Sequence, residues 1–404
     1  RQLLELAHYA KAHGHSITVY AVLYSQRCLP QLATGLEIEV VPADSPLEPL
    51  WKRAPTRETS GLLLWPLQTI RHDYRVLMAR LEMARKIARH IADDVDLING
   101  HDWMTTEMLW FARQRLRVPM VWQCNDLPVA FKVGVNAPTD QSGKARLRHF
   151  GRYLLRDSWL QVFERKWVSA VDQIIVNVER NRKLVQRCYG RDARVIRCGV
   201  NPGTFFPREV RDRTTDRRPF RILSAAVFYH YRRFEDLIRA VSILKPRYQV
   251  HLDIIGYEGF VPQYARALRD LVTELQLDDC VRFHGAVSED ALREAYEQSD
   301  VFVWCNHNQS WGNAVFEAMG CGTPVVVSTS TGAAEVLKDG ENALLVPPLR
   351  PDQLAARIEE LILSPALRQR LSRNGRDLVQ SMSWDNYSSA MLALFEEMLT
   401  TRRG

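Results

Sequence analysis

The sequence predicts an α/β fold: two Rossmann-like domains in tandem, each a doubly wound parallel sheet, facing a cleft. Three observations predict it. Short apolar runs alternate with segments of helical period along nearly the whole chain. Most of those runs are continuously apolar rather than alternating, as in parallel strands covered on both faces. The 404 residues suffice for two cores of ordinary size. Strand–helix–strand order implies right-handed crossovers, with ligands at the carboxyl ends of the strands.

The elements follow in order. The opening RQLLELAHYAKAHGHSITVY reads as the middle of a helix running into a strand, so an earlier segment of the domain is expected before it. Strands are predicted over 16–24, 36–41, 95–99, 118–124 and 172–177, with helices over 71–92, 104–116 and 178–189. A second set has strands over 220–226, 250–256, 280–285, 300–305, 324–328 and 343–347, and helices over 234–246, 261–277 and 288–299. Between the sets, NPGTFFPREVRDRTTDRRP carries prolines, a glycine and dense charge without periodicity. The predicted division is therefore a first domain over 1–199, a linker over 200–217 and a second domain over 218–382. Residues 383–404 open on Ser383, a cap candidate, and close the chain as a helix expected to pack back toward the first domain.

Composition narrows the class. Apolar content of 46% and charged content of 25% are those of a soluble globular chain. No apolar run approaches the roughly 20 residues that span a bilayer. Seven cysteines lie scattered without a Cys-x-x-Cys pair. That speaks against a disulfide framework or a zinc site and for a reducing, cytoplasmic setting. Net charge is +7, unevenly spread. Residues 1–200 hold 30 basic and 20 acidic side chains, leaving 54−30=24 basic and 47−20=27 acidic for the remainder. The first half therefore suits an anionic partner. Its densest stretch, KARLRHFGRYLLRDSWLQVFERKW (144–167), interleaves arginines with aromatics. It reads either as a peripheral attachment to the inner face of an anionic membrane or to an acidic acceptor, or as a surface helix packed on its own domain. No motif of nucleic-acid recognition accompanies the charge.

The chemistry concentrates in NQSWGNAVFEAMGCGTPVVVSTSTGAAE (308–335), which follows the predicted strand DVFVWC. Gly312 permits close backbone approach, and the amides near Gly312 to Ala314 open a helix, so this is an anion site suited to phosphate. Glu317 follows one turn in, among Val315, Phe316 and Met319, where an ordinary solvated face has little room. Its two oxygens suit a ribose diol.

These residues resemble the signature of the family 4 glycosyltransferases of GT-B fold, from Gly312 to Glu335. The resemblance extends through AKAHGHSITVY, VDLINGHDW, RVIRCGVNPGTFFP, VRFHGAVSEDALREAYEQSDVFV, ENALLVPP and SWDNY, in the family's order. It implies roles position by position. Glu317 would bind the nucleotide ribose. Gln309 stands where the family has a glutamate that touches the donor sugar. The amides of Trp311, Gly312, Asn313 and Ala314 would hold sugar and diphosphate. Arg232, with Arg233 beside it, aligns with the family's phosphate-clamping lysine, while the usual Gly-Arg after the preceding strand is absent from SAAVFYHYRR. Gly256, Tyr257 and Val287 fall where the family builds its base pocket. His101 would face the donor sugar. Asn125 and Asp126 take the place of a His-Asp pair on the acceptor side. The implied reaction is retaining, metal-independent hexosyl transfer from a UDP- or GDP-sugar to a glycan or lipid-linked acceptor, in cell-envelope polysaccharide or glycoconjugate synthesis. No cofactor is implied. Gln309 and the missing Gly-Arg motivate a rival, a sugar-nucleotide-binding protein without turnover. A GT-B epimerase or phosphorylase is a further rival, against which the 312–335 motif speaks.

Overall fold

The computed structural model describes residues 2–21, 35–40, 65–102, 105–125, 158–200, 202–206, 219–307 and 311–403. Contacts divide the chain into two units, one comprising Arg1–Asn177, Asn181–Ile196 and Ser388–Gly404, the other Val178–Arg180 and Arg197–Tyr387.

In the first unit, helix α1 (Gln2–Ala12) leads to strand β1 (Thr18–Ala21), which pairs in parallel with β2 (Glu37–Val40). Helix α2 (Trp65–His90) precedes a four-stranded parallel sheet in the order β3-β4-β5-β6. Its strands are Ile98–His101, Met120–Gln123, Gln173–Val176 and Arg194–Val195. Helices α3 (Thr106–Arg113), α4 (Ser158–Val168) and α5 (Glu179–Tyr189) connect them. Met120, Trp122 and Ile174 are sealed from solvent against Ala84 and Ala88 of α2 and Leu109 and Ala112 of α3. That burial on both faces is why these strands carry unbroken apolar runs. One charge enters this interior: Glu107 is buried, paired with Arg80 and bonded by the Thr106 hydroxyl.

The second unit holds a six-stranded parallel sheet of β7 (Phe220–Ala225), β8 (Val250–Ile255), β9 (Val281–Gly285), β10 (Val301–Trp304), β11 (Val325–Ser328) and β12 (Leu344–Val346). The order is β12-β11-β10-β7-β8-β9. The chain builds outward from β7 to β9, then returns to the other side of β7 and builds outward again. Helices α6 (Pro202–Phe205), α7 (Phe234–Leu244), α8 (Pro262–Glu274), α9 (Glu289–Gln298) and α10 (Asn313–Gly320) alternate with the strands, followed by α11 (Pro351–Leu363) and α12 (Pro365–Gln380). Such an order has one topological switch point, here between β7 and β10, where loops diverge at the strands' carboxyl ends and leave a crevice for a ligand.

Helix α13 (Trp384–Arg403) ends the chain. Ser383 caps it as expected, its hydroxyl accepting from the Asn386 amide at 3.0 Å. From Ser388 onward the helix belongs to the first unit, where Arg194 bonds Glu397 at 2.8 Å.

The predicted strands appear at their positions, trimmed by one to three residues where the described chain shows both ends, except that the strand expected over 95–99 starts three residues later and runs two residues further, to His101. Strand β6 has two residues and carries no apolar run. Helix α4 falls in the stretch read as helical over 144–167, whereas α11 and α12 were missed, although Pro351 and Pro365 at their first positions and the Ser364 cap are start signals.

Candidate functional site

The site is built on the loops after β7 and β10. After β7 the chain runs through a 3₁₀ turn, His230–Arg232, into α7. Arg233 at the junction is left-handed, with φ 56° and ψ 38°. Its guanidinium is half-buried and committed: Nε and Nη2 bond the two oxygens of Asp236 at 2.9 and 2.8 Å, and Nη1 meets Glu235 at 2.6 Å. Burial works against the Arg233 charge, but these carboxylates win and raise its pKa. Tyr264 completes the cluster, donating to Glu235 at 2.5 Å and accepting the Phe234 amide at 3.1 Å. Beneath it, the buried Cys305 thiol donates to the carbonyls of Arg232 and Arg233 at 3.4 and 3.1 Å. Burial pushes that thiol's pKa far up.

Arg232 is presented differently. Its guanidinium lies over the rings of Tyr231 at 4.9 Å and Trp304 at 5.1 Å. Buried Asn306 fixes it, accepting from Nη1 at 2.7 Å and donating to the Arg232 carbonyl at 3.2 Å. The His307 amide donates to the Tyr231 carbonyl at 2.7 Å, clasping the two loops together. The expected pair of phosphate-clamping arginines is thus unequal, with Arg233 saturated by carboxylates and Arg232 held on aromatic faces.

Trp304 is also the floor of the helix start. Gly312, the N-cap of α10, has φ 97°, and a Cβ there would lie 2.9 Å from the Trp304 indole nitrogen. Gly312 has no side chain to cap the first turn of α10 and no cap bond appears among the described residues, so Asn313 and Ala314 lead a positively polarised helix end. Trp304 therefore brings Arg232 and that helix start together. Trp311 is buried, stacks on Phe316 at 4.7 Å, and its carbonyl accepts from Ala333. Glu317 sits one turn inside α10, half-buried, with one carboxylate oxygen bonded by the Tyr296 hydroxyl at 3.2 Å. Tyr296 is wholly enclosed, and burial first, then Glu317, holds its phenol protonated far above the usual range.

The remaining expected residues fall as follows. Gly256 directly follows β8, and any Cβ there would strike the Ala226 carbonyl oxygen at 1.8 Å. Tyr257 follows it, 49% exposed, and Val287 stands exposed after β9. In the first unit, His101 and Asn125 both address the Gln2 amide oxygen, at 3.3 and 2.7 Å. Burial lowers the His101 pKa to about 4, so the ring is neutral near pH 7. Gln309, Asp126 and residues 144–157 lie outside the described residues.

Tyr296, Asn306 and Cys305 were not singled out from the sequence. Asn306 and Cys305 follow a predicted strand at its carboxyl end, which was a usable signal. Tyr296 reaches Glu317 from a different helix, which no local pattern records.

A doubly wound sheet in this order, with a glycine-led helix start and an arginine at its switch point, is the architecture of nucleotide-binding α/β domains. Comparison with known proteins narrows the class. The sequence profile described as Glycosyltransferase Family 4 matches residues 1–204, and that described as Glycosyl transferases group 1 matches residues 206–378. The chain belongs to the family 4 glycosyltransferases. It is 26% identical over 401 residues to a D-inositol 3-phosphate glycosyltransferase of Actinosynnema mirum, covering 94% of this chain and 91% of that one. Among solved structures, sucrose-phosphate synthase from Thermosynechococcus elongatus superposes with a TM-score of 0.76 at 21% identity, over 98% of this chain and 92% of that one. Anabaena HepE, solved with UDP and glucose, gives 0.67 at 17% identity, over 98% and 95%. These likenesses carry the GT-B fold.

Proposed function

We propose that the protein transfers a hexose, with retention, from a nucleoside diphosphate sugar to a hydroxyl of a glycan or lipid-linked acceptor. The observation that carries this reading is the Trp304 floor, which sets Arg232 beside the glycine-led start of α10, with Glu317 one turn further in. A diphosphate between Arg232 and the amides of Gly312, Asn313 and Ala314 meets positive charge from two sides. A ribose at Glu317 finds a carboxylate already oriented by Tyr296.

The chemistry follows from where charge develops. As the bond between the sugar's anomeric carbon and the diphosphate breaks, negative charge grows on the departing oxygen. Fixed donors aimed at that oxygen stabilise it without reorganisation. The acceptor oxygen then bonds the anomeric carbon from the same face, and its proton passes to the diphosphate. Gln309, His101, Asn125 and Asp126 keep their assignments to the sugar and the acceptor as proposals. Tyr257 and Val287, exposed beyond β8 and β9, are proposed to border the base.

HepE, solved with UDP and glucose, supports a nucleoside diphosphate sugar as donor. The name of the Actinosynnema mirum relative adds a phosphorylated cyclitol to the acceptors worth testing. Val162 and Phe163, exposed on α4 beside Arg165 and Lys166, are consistent with proposed attachment to an anionic membrane face on the cytoplasmic side. Among the described residues no helix is long and apolar enough to cross a membrane.

A thermal-shift panel of UDP-, GDP- and ADP-sugars tests the reading, because a ligand bound only by the native state raises the melting temperature. One series should stabilise the protein, and Glu317→Ala should abolish most of that shift. An unchanged shift in Glu317→Ala would remove Glu317 from the ribose site.

A further inference from the structure

The Arg that the family places after the first strand of this domain is missing here, and Val227 stands in that loop. We propose that Arg180 supplies the second phosphate-binding cation, with the His307 imidazole as a neutral hydrogen-bond partner beside it. The inference deepens, and rests on, the reading of this site as a diphosphate site.

Arg180 is distant in sequence but not in space. Its Nη1 donates to the Ser330 carbonyl at 3.1 Å, and the Ser330 hydroxyl donates to the Asn306 carbonyl at 3.0 Å. The Asn306 side chain in turn holds Arg232. Asn306 is thus gripped on its backbone by the residue that carries Arg180 and on its amide by Arg232. Arg232 bonds Asn306 directly, and Arg180 reaches the same residue through Ser330.

His307 comes next in the chain, half-buried, and its Nδ1 is enclosed by protein with no hydrogen-bond partner. A buried polar atom without a partner costs stability unless something fills the vacancy. Burial first, then the nearby Arg233 and Arg180, disfavours a charge on the ring, against the smaller pull of Asp236. A neutral imidazole can donate or accept one bond to a phosphate or sugar oxygen without needing its own counter-charge.

Arg180 itself sits where a cation is unwelcome. It occupies the first turn of α5, whose dipole opposes positive charge. Burial lowers its pKa, against the pull of Glu335. Glu335, however, gives its two oxygens to the backbone amides of Glu179 and Arg180, at 2.9 and 3.0 Å, and so pins the backbone that carries the guanidinium. A partly desolvated cation on a pinned backbone, tied through two residues to Arg232, is preorganised for an anion.

The test is equilibrium binding of UDP, UMP and uridine, the matching GDP series, and inorganic pyrophosphate to the full chain and to Arg180→Gln. Removing one charged hydrogen-bond donor should weaken the nucleoside diphosphate and pyrophosphate about tenfold or more. Nucleoside affinity should stay within about twofold, since no bond to base or ribose is lost. Arg180→Lys should recover part of the loss, and it also serves if Arg180→Gln does not fold. Equal affinity of wild type and both variants for diphosphate and pyrophosphate would overturn the role of Arg180 alone. A loss equal for nucleoside and diphosphate would also overturn it, showing a merely structural arginine. A wild-type protein that binds neither nucleoside diphosphate nor pyrophosphate would overturn the proposed function as well.

Discussion

Arg233 holds a backbone conformation that costs a residue with a Cβ about 1–2 kcal/mol relative to glycine. The half-buried fork to Asp236 and Glu235 outweighs that cost. Deleting one member of a buried ion pair leaves charge uncompensated, at about 3–5 kcal/mol. Arg233→Gly should therefore lose about 2 kcal/mol in urea denaturation, despite relieving the turn. Adding Asp236→Asn should return part of that loss, because one stranded charge is removed. A single variant as stable as wild type would mean the fork only decorates the turn. At this scale the sequence was half legible. Two adjacent arginines at a helix start announced an anion, as the dipole argument requires. Which of them is tied up by carboxylates depended on Asp236, one turn along, and the turn itself on Cys305, some seventy residues away. Glu317 stood out in the sequence because its neighbours are apolar; its bond to Tyr296, from another helix, left no local mark.

Among the elements, the strand ends decide the site, and glycine permits two of the approaches. At Gly256 a Cβ would lie 1.8 Å from a carbonyl oxygen, which cannot swing aside as a side chain could. Gly256→Ala should cost about 3 kcal/mol or more, measured by chemical denaturation, and should weaken donor binding as β7 and β8 part. Gly340 is the control: it too has positive φ, but nothing lies within 4 Å, so Gly340→Ala should cost only about 1 kcal/mol of backbone strain. Equal losses at the two positions would show that conformation alone, not close approach, explains Gly256. The strands and most helices were readable because burial on both faces writes a long apolar run or a clear period. Strand β6, α11 and α12 lacked such marks, or carried them only as start signals.

For the molecule as a whole, the return of the final helix to the first unit matters most. Met391, Leu392 and Leu394 are buried on that helix. Each contributes about 1.5–3 kcal/mol by its burial. A chain ending at Tyr387 should show a first-unit transition at markedly lower temperature in scanning calorimetry, with the second-unit transition little changed. A uniform shift of both transitions would contradict that assignment. The two-domain plan was legible from strand spacing and from the proline-rich, charged break near 200–218. The exchange of short segments at Val178–Arg180 and Ser388–Gly404 was less so, since contact and not composition defines it.

The thiol beneath the arginine turn has a further use. Cys198, Cys280, Cys305 and Cys321 of the second unit are all buried, and burial keeps Cys305 in its unreactive protonated form. A maleimide cannot modify Cys305 until the turn carrying Arg232 comes away from it. The rate of that labelling is therefore a clock for the opening of the proposed phosphate clamp, readable by mass spectrometry in the unaltered protein. Any ligand that engages the clamp should slow the clock in proportion to how tightly it binds.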